Sequence, residues 1–255
     1  MDEYKYINLD LNNIDSEHLC CIIRSKKETE GIILKKKWLS EQLKNGHIFH
    51  KLDVNGTAFI EFAPLEYAYT PINGNNYLYI YCLWVNGTLK GKGIGKELLE
   101  YAINYAKANN KSGLCLLNCN KKKNWLTNKD FFIHHGFKVV DTTKSGYELL
   151  ALSFNDDKVA FNEFAKKEII ADKNLVIYYT NQCPYIAKSL EIIRSYCDKN
   201  KVSYKLIEVK TIKEAKELPC VFNNFAVFYK GEFKTVNLLD LISLERILKK
   251  WKKDI

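Results

Sequence analysis

The sequence contains no run of 18 or more apolar residues, the minimum for a membrane-spanning helix. Its first residues, MDEYKYINLDLNN, are polar and acidic, which predicts no secretory signal peptide. The eight cysteines form no closely spaced pair of CxxC motifs, and no His/Cys cluster has ligand spacing, so we expect no metal site. These absences predict a cytoplasmic globular protein whose cysteines are mostly reduced.

A formal net charge of +9 makes nucleic acid a possible partner. A nucleic-acid binder usually gathers its basic residues on one face with interleaved aromatics, whereas the lysines here are spread along the chain. We therefore predict no nucleic-acid and no membrane partner, and interpret the charge as a solvated surface that attracts an anionic cofactor. Short clusters occur at Lys35–Lys37, Lys121–Lys123 and Lys249–Lys253.

A glycine-rich stretch between Leu83 and Ala106, LWVNGTLKGKGIGKELLEYAINYA, is the strongest functional motif. An apolar strand ends, three glycines and three lysines follow, and a helix with one apolar face begins. Glycines at such a junction bring several N–H groups close to a ligand, and the helix N-terminus adds partial positive charge. The motif predicts a phosphate or pyrophosphate site, although a loop that merely turns remains the alternative. It lacks the Lys-Ser/Thr of an ATP-binding loop.

Periodicity predicts two α/β units. Residues up to 154 give the order β-α-α-β-β-β-α-β-α-β-β, with one strand at Tyr77–Val85, and residues from Leu175 onward give β-α-β-α-β-β-α. Between them, Val159–Ile170 has the pattern of an amphipathic helix. We predict a first domain over residues 1–156, a connecting helix within 157–172 and a second domain over 173–255.

The first unit resembles the GNAT family of N-acetyltransferases. The family motif Arg/Gln-x-x-Gly-x-Gly/Ala stands here as Lys90-Gly91-Lys92-Gly93-Ile94-Gly95, with Lys for Arg, and Asp130–Phe137 resembles the family's helix that ends in Gly-Phe. The resemblance covers about residues 4–154. It implies an α/β (α+β) GNAT acyltransferase fold with a mixed, mostly antiparallel sheet. It also implies acetyl-CoA as co-substrate and an amine of a small molecule or peptide as acceptor.

In this family the fourth and fifth strands splay apart after a bulge, and the pantetheine arm lies in the gap. That would place Leu83 and Val85 beside the acetyl group, with the Val85 N–H polarising its carbonyl. The cofactor-binding residues that the resemblance implies are Leu83, Trp84, Val85, Lys90, Gly91, Lys92, Gly93, Ile94, Gly95, Lys96, Asn118 and Phe132.

Proton transfer is where the sequence departs from the family pattern. Many members carry a tyrosine acid at the position of Phe132, which cannot donate a proton. Another residue or water could replace it, or no acid could be needed. A base is useful because only a neutral amine attacks. The candidate acids are Tyr81, Cys119 and His134, and the candidate bases are Glu61 and Glu66; each is alternatively a packing or surface residue.

The second unit resembles the thioredoxin/glutaredoxin fold. Cys183-Pro184-Tyr185-Ile186 is similar to the redox tetrapeptide with its second cysteine replaced, and Leu218-Pro219 stands where that fold has a cis-proline loop. The pairing with a GNAT unit resembles the YoaP-type two-domain acetyltransferases. Cys183 could act as a monothiol, form a mixed disulfide with a thiol substrate or pair with Cys220. Alternatively, the unit could keep the fold of a redox protein without its redox function.

The leading prediction is a monomeric or homodimeric acetyl-CoA-dependent N-acetyltransferase whose second domain shapes the acceptor site. The alternative is a thiol-dependent redox or substrate-binding protein that uses Cys183 and has a regulatory or vestigial CoA site.

Overall fold

The chain forms two compact units. The structure, a computed structural model, describes residues 4–19, 28–54 and 57–249. The first unit comprises the residues up to Ala68 together with Ile72–Ala160, and the second comprises Tyr69–Pro71 together with the residues from Phe161 onward. The short segment Tyr69–Pro71 is held inside the second unit, where the Thr70 hydroxyl donates to the carbonyl of Phe222 at 2.8 Å.

The first unit is built on a seven-stranded sheet with the order β1-β2-β3-β5-β6-β8-β7. Every neighbouring pair is antiparallel except β5 and β6, which are parallel. The mixed, mostly antiparallel sheet predicted from the sequence is therefore confirmed. Its strands are β1 (Tyr6–Asn8), β2 (Ile48–Leu52), β3 (Ala58–Pro64), β5 (Tyr77–Val85), β6 (Gly113–Cys119), β7 (Lys138–Thr142) and β8 (Tyr147–Ser153). A separate pair joins β4 (Ile72–Gly74) to β9 (Val159–Phe161).

Helices cover both faces of this sheet. On one face, α2 (Ile94–Ala108) and α3 (Lys129–His134) enclose the main apolar core, to which alternate residues of β3 and β5 contribute, such as Ile60 and Ile80. Along α2 the buried positions recur with helical spacing, as the sequence predicts. On the other face, α1 (Glu30–Leu43) packs through Ile32, Lys35 and Leu39. Two chemically different faces therefore border the same strands.

The second unit contains a four-stranded sheet with the order β11-β10-β12-β13. Strands β10 and β11 are parallel, and the other pairs are antiparallel. Its core joins the sheet to α4 and α6. The element order β-α-β-α-β-β-α agrees with the sequence prediction. The elements are β10 (Leu175–Tyr179), α4 (Tyr185–Asn200), β11 (Tyr204–Glu208), α5 (Ile212–Lys216), β12 (Phe225–Tyr229), β13 (Glu232–Thr235) and α6 (Leu241–Lys249).

The predicted connecting helix at Val159–Ile170 is wrong. Its first three residues form β9, and several of the backbone N–H groups that follow bond to distant carbonyls instead of carbonyls four residues earlier. Glu168 donates to Pro219, and Ile170 donates to Gly231. Glu168 also has φ 55, which a helix interior does not accommodate. Pairing with neighbouring segments thus overrides an amphipathic pattern.

Two predictions in the first unit depend partly on undescribed residues. In the sequence, Asp15-Ser16-Glu17 predicts the start of a helix with apolar positions at Leu19, Ile22 and Ile23. The structure has turns over residues 11–16 instead, and Ile22 and Ile23 lie outside the described residues. Asn55-Gly56 between two β-prone runs, His47–Val54 and Thr57–Pro64, predicts a hairpin. The antiparallel pair β2–β3 confirms the hairpin, and its turn lies outside the described residues.

Candidate active site

Strands β5 and β6 separate partway along their length. They pair only between Tyr77–Tyr79 and Gly113–Cys115, although β5 continues to Val85 and β6 to Cys119. We call the gap between residues 80–85 and 116–119 the fork. A bulge lies at its start, because Glu61 pairs with Cys82 and the next residue of β3 pairs with Ile80, which leaves Tyr81 as the extra residue. The splayed strands and the bulge implied by the family resemblance are confirmed.

Backbone groups of β5 point into the fork. The Leu83 carbonyl accepts a hydrogen bond at 3.3 Å from Thr127, which lies in the loop after β6. The Asn86 N–H donates in the opposite direction, to Thr57 beside β3, at 3.0 Å. In antiparallel pairing the N–H and C=O of one residue point the same way, and the direction alternates along the strand. The N–H groups of Leu83 and Val85 therefore face the fork.

The glycine-rich loop lies next to the open end of β5. Gly91 and Gly93 have φ of 76 and 82, values that other residues adopt only with strain, and a Cβ on either would meet no atom within 4 Å. A Cβ on Gly95 would meet the Val85 side chain at 3.7 Å, so the start of α2 packs beside the end of β5. The N–H groups of Lys96 and Glu97 bond to the carbonyl of Gly93, whereas Ile94 and Gly95, at the start of α2, have no helical carbonyl before them to receive their N–H groups.

Side chains around the loop divide into anchors and exposed charges. Lys90, Lys92 and Lys96 are exposed, so their charges reach solvent around the loop. Ile94 is buried in the core and anchors the loop, which leaves only its backbone for a ligand. Trp84 has a buried indole N–H that finds no hydrogen-bond partner in the described part of the chain. An orphaned donor on β5 fits a site that a ligand completes.

Three residues predicted near the ligand are occupied elsewhere. Phe132 has no exposed surface and packs against Phe137 in the core, so its assignment to the cofactor surface is wrong. The Asn118 side chain donates to the Thr127 carbonyl at 2.9 Å and accepts from the Cys119 N–H, so it holds the loop at the fork. Cys119 is itself buried at the end of β6.

Glu61 does not have the properties of a free base. Its carboxylate is buried, forms an ion pair with Lys35 and accepts a hydrogen bond from His47 Nε2 at 2.9 Å. Burial alone would favour the protonated acid, but Lys35 and His47 outweigh it and lower the pKa of the Glu61 carboxyl. Glu61 as the base therefore stays a prediction, and its carboxylate is already engaged by Lys35 and His47.

Glu66 lies near the first residues of β5, at the end of that strand opposite the fork. It is exposed and accepts a hydrogen bond at 2.7 Å from the N–H of Asn76, immediately before β5. Asn76 precedes Tyr81 by five residues, roughly 16 Å along a strand, so this contact holds Glu66 away from the fork, and Glu66 as a base stays a prediction. His134, a candidate acid, is exposed on α3. Of the candidate acids and bases, Tyr81 lies at the mouth of the fork.

The sequence-based reasoning did not identify His47. Its ring packs against Tyr81, with centroids 5.3 Å apart, and edge-on against Trp38 at 5.2 Å. Burial lowers the pKa of His47 more than the hydrogen bond to Glu61 raises it, which keeps the imidazole neutral. A single histidine before a strand carries no motif. The sequence does offer one indirect indication of a buried polar cluster. Lys35 has helical spacing from Ile32 and Leu39, which places its charge on the inward face of α1.

In the second unit, the redox geometry is incomplete. Cys183 is half-buried just before α4, and Cys220 is fully buried. Burial raises the pKa of the Cys220 thiol well above its ordinary value, which disfavours a thiolate there. Ile186 is a core residue. No cis peptide occurs among the described residues, so the predicted cis form of Pro219 is wrong.

A model of the acetyltransferase (GNAT) family matches residues 14–125, which include the fork's β5 strand and the glycine-rich loop. A YoaP-like family model matches residues 204–249. The protein described as "Uncharacterized N-acetyltransferase YoaP" from Bacillus subtilis (strain 168) is 34% identical over 245 residues, covering 95% of this chain and 98% of that protein. The chain therefore belongs to the GNAT family of N-acetyltransferases, and within it to the YoaP type.

Solved structures resemble the first unit at low identity. A GNAT family acetyltransferase from Brucella melitensis in complex with acetyl-CoA is 13% identical with a TM-score of 0.40, covering 64% of this chain and 98% of that one. The PaiA N-acetyltransferase from Thermoplasma acidophilum in complex with coenzyme A is 18% identical with a TM-score of 0.43, covering 60% and 99%. No described helix combines the length and apolar character needed to cross a bilayer, and the described residues contain no group of His, Cys, Asp and Glu suited to a metal.

Proposed function

We propose that this protein transfers the acetyl group of acetyl-CoA to the amine of a small molecule or peptide. The observation that carries this proposal is the fork, open between β5 and β6 and adjacent to the glycine-rich loop at the start of α2. A pyrophosphate site beside a slot with inward-facing N–H groups suits a long thioester donor rather than a nucleotide alone.

The residues present fit acetyl-CoA. Open space surrounds Gly91 and Gly93, where backbone N–H groups of the loop would hold the pyrophosphate. Lys90, Lys92 and Lys96 add positive charge, and the unpartnered Trp84 N–H offers another donor. When bound, acetyl-CoA supplies the activated acyl group.

The chain's own residues then serve orientation and charge. The N–H groups of Leu83 and Val85 face the fork and stabilise negative charge that develops on the acetyl carbonyl oxygen. Tyr81, at the bulge, borders the fork from the face opposite α2 and is the side chain we assign to contact with the acceptor. Because Phe132 is in the core, no acid is assigned there, and Cys119 stays a buried neighbour of the fork.

The substitution Gly93→Ala tests the loop. A Cβ would enter the space assigned to the pyrophosphate, and we expect acetyl-CoA to bind at least about 10-fold more weakly, since about 1.4 kcal/mol of lost binding corresponds to that factor. Gly136→Ala is the matched control, because Gly136 also has positive φ (87) and its Cβ would make an ordinary contact with Leu152 at 3.5 Å. Thermal stabilisation by acetyl-CoA measures both. Wild-type protein that is not stabilised by acetyl-CoA or CoA refutes the proposal.

For the second unit, we propose a thioredoxin-like fold that shapes the acceptor site. Its strand order, with one parallel and two antiparallel pairings, supports that fold, and the similarity to the Bacillus protein runs through both units. In the full chain, Cys183→Ser should change the KM for the amine acceptor and leave the KM for acetyl-CoA unchanged. Unchanged kinetics for every tested amine would leave Cys183 without a role in either the acceptor site or redox chemistry.

A further inference from the structure

Three ionisable side chains meet in the interior on the face of the sheet opposite α2. Lys35 from α1 and His47, which precedes β2, both bond to the same carboxylate oxygen of Glu61 on β3. All three side chains are about 98% or more buried. Burying such groups costs several kcal/mol of desolvation per ion, and an apolar trio would fill the same space. The cluster therefore calls for a role beyond packing.

The hydrogen bonds fix where the protons lie. An ionised carboxylate only accepts, so His47 donates through Nε2–H to Glu61. A neutral imidazole has one N–H, which leaves Nδ1 with a free lone pair. Lys35 already balances the charge of Glu61. If Nδ1 gains a proton, the Glu61 carboxylate offsets part of the cost that burial and the Lys35 charge impose on the imidazolium.

The cluster adjoins the fork through Tyr81. This bulge residue lies two positions beyond Tyr79, the last residue of β5 that pairs with β6. The His47 ring contacts the Tyr81 ring, and Trp38 packs edge-on against both, at 5.2 Å from His47 and 6.0 Å from Tyr81. The groups that face His47 are thus Lys35 and Trp38 from α1, Glu61 from β3 and Tyr81 from β5.

We propose that His47, oriented by Glu61, receives the proton of the acceptor amine by way of Tyr81. The inference rests on the proposed acetyl transfer. The ammonium N–H bond breaks and its proton ends on Nδ1 of His47; the freed lone pair forms the new C–N bond as the C–S bond breaks. The second amine proton goes to the departing thiolate, and His47 later returns its proton to solvent. Because His47 acts through Tyr81, it is a positioning residue and not a group in contact with substrate.

The test compares two buried histidines in the full-length protein. His47→Phe keeps a flat ring beside Tyr81 and removes both nitrogens. His50→Phe is the matched control, since His50 is a buried histidine on β2 whose ring stacks on Tyr101 of α2, on the other face of the sheet. Acceptors are spermidine, lysine, an aminoglycoside and a short peptide with a free N-terminus. Binding of acetyl-CoA, followed by thermal shift, reports that each variant is folded.

We expect His47→Phe to lower kcat/KM for the amine about 100-fold or more, the usual contribution of a proton acceptor, with the KM for acetyl-CoA unchanged. His50→Phe should change it less than about 3-fold, well below that contribution. The acidic limb of the pH–rate profile should disappear in His47→Phe, and imidazole should restore part of the activity of His47→Ala. Wild-type activity in His47→Phe overturns the inference.

A second measurement needs no acceptor. Nitrogen NMR of labelled histidine should show His47 neutral near neutral pH with the proton on Nε2; a charged ring or a proton on Nδ1 overturns the inference. Wild-type protein that acetylates none of the four amines counts against the proposed function instead, and the NMR result then still decides the protonation state on which the inference depends.

Discussion

Replacing Lys35 by Met should strongly destabilise the first unit. Methionine keeps the length of the side chain but leaves the buried Glu61 carboxylate without its countercharge. Breaking a buried pair by removing one partner typically costs about 3–5 kcal/mol. The Lys35 ammonium also lies 4.9 Å from the Trp38 ring centroid, and that attraction is lost too. For a unit of this size the transition should move down by roughly 6–20 °C.

The assay is thermal and urea unfolding of the full chain, followed by tryptophan fluorescence. Lys44→Met is the matched control, because Lys44 follows the same helix and pairs with Glu41 in solvent. Exposed pairs of this kind contribute about 0.5 kcal/mol or less. A loss below about 1 kcal/mol in Lys35→Met would refute the buried ion pair.

A double-mutant cycle separates the pair from the packing. Glu61→Leu alone strands the Lys35 ammonium, whereas Lys35→Met with Glu61→Leu removes both charges and leaves mainly the His47 N–H without its acceptor, a cost of about 1–3 kcal/mol. The double variant should therefore be less destabilised than the sum of the single variants by at least about 2 kcal/mol. Simple additivity would contradict direct contact between the two charges.

The same pair predicts a pH dependence. The folded-state pKa of Glu61 is lowered, so the stability it contributes is present above the unfolded value of about 4.5 and is lost as the pH falls through the folded value. The difference between wild type and Lys35→Met should shrink in that acidic range. A difference that is constant with pH would show that the loss comes from packing.

Three further predictions concern other positions. Burial lowers the pKa of His50 to about 4, so the unfolded state takes up a proton before the folded state as the pH falls from about 6.5 to about 4. The free energy of unfolding should drop by about 1–2 kcal/mol over that range, after allowance for solvent screening. A difference between wild type and His50→Phe in urea unfolding that does not change with pH would contradict this. Gly113→Ala places a Cβ 2.3 Å from the Leu152 carbonyl oxygen and should lower the free energy of unfolding by about 3 kcal/mol, as measured by thermal unfolding. Gly91→Ala, where the space is open, should lower it by about 1 kcal/mol, and equal losses of stability in the two variants would count against the close approach at Gly113. Thr127→Val removes the hydroxyl that bonds to the Leu83 carbonyl across the fork, and it should change the KM for acetyl-CoA with little change in stability. A loss of stability above about 1.5 kcal/mol with an unchanged KM would give this hydrogen bond a structural role instead.

Local patterns in the sequence were sufficient to predict the elements that carry the donor site. Tyr77–Val85 is the strand predicted, and the glycine-rich loop begins a helix as predicted, because strand propensity, glycines and helical spacing act within a few residues. The bulge at Tyr81 was expected only through the family resemblance. The alternation of Tyr77–Cys82 continues smoothly through it, and only the partner strand shows that one residue is extra.

The failures have a common physical origin in contacts distant along the chain. Residues 159–170 have helical periodicity, but the N–H groups of Asn162, Glu168 and Ile170 bond to carbonyls of other segments. The ion pair of Glu61 was likewise not evident locally, because its partner Lys35 lies 26 residues earlier, on the helix that packs against the same face of the sheet. Within the run Lys35–Lys37, only the spacing to Ile32 and Leu39 distinguishes the inward lysine from its neighbours.

In the proposed reaction, the two substrates reach the fork from the two faces of the sheet. In that reaction, the loop at the start of α2 would hold the donor on the face that carries the apolar core. On the other face, the mouth of the fork is lined by Tyr81 and supported by the His47 and Glu61 pair. An amine that enters from this second face reaches the thioester without crossing the pyrophosphate loop, and its proton leaves away from the donor. A neutral imidazole on that face is therefore consistent with an amine that attacks the thioester from the side of the sheet opposite the donor. A substitution on one face of the sheet should accordingly alter the KM of one substrate only.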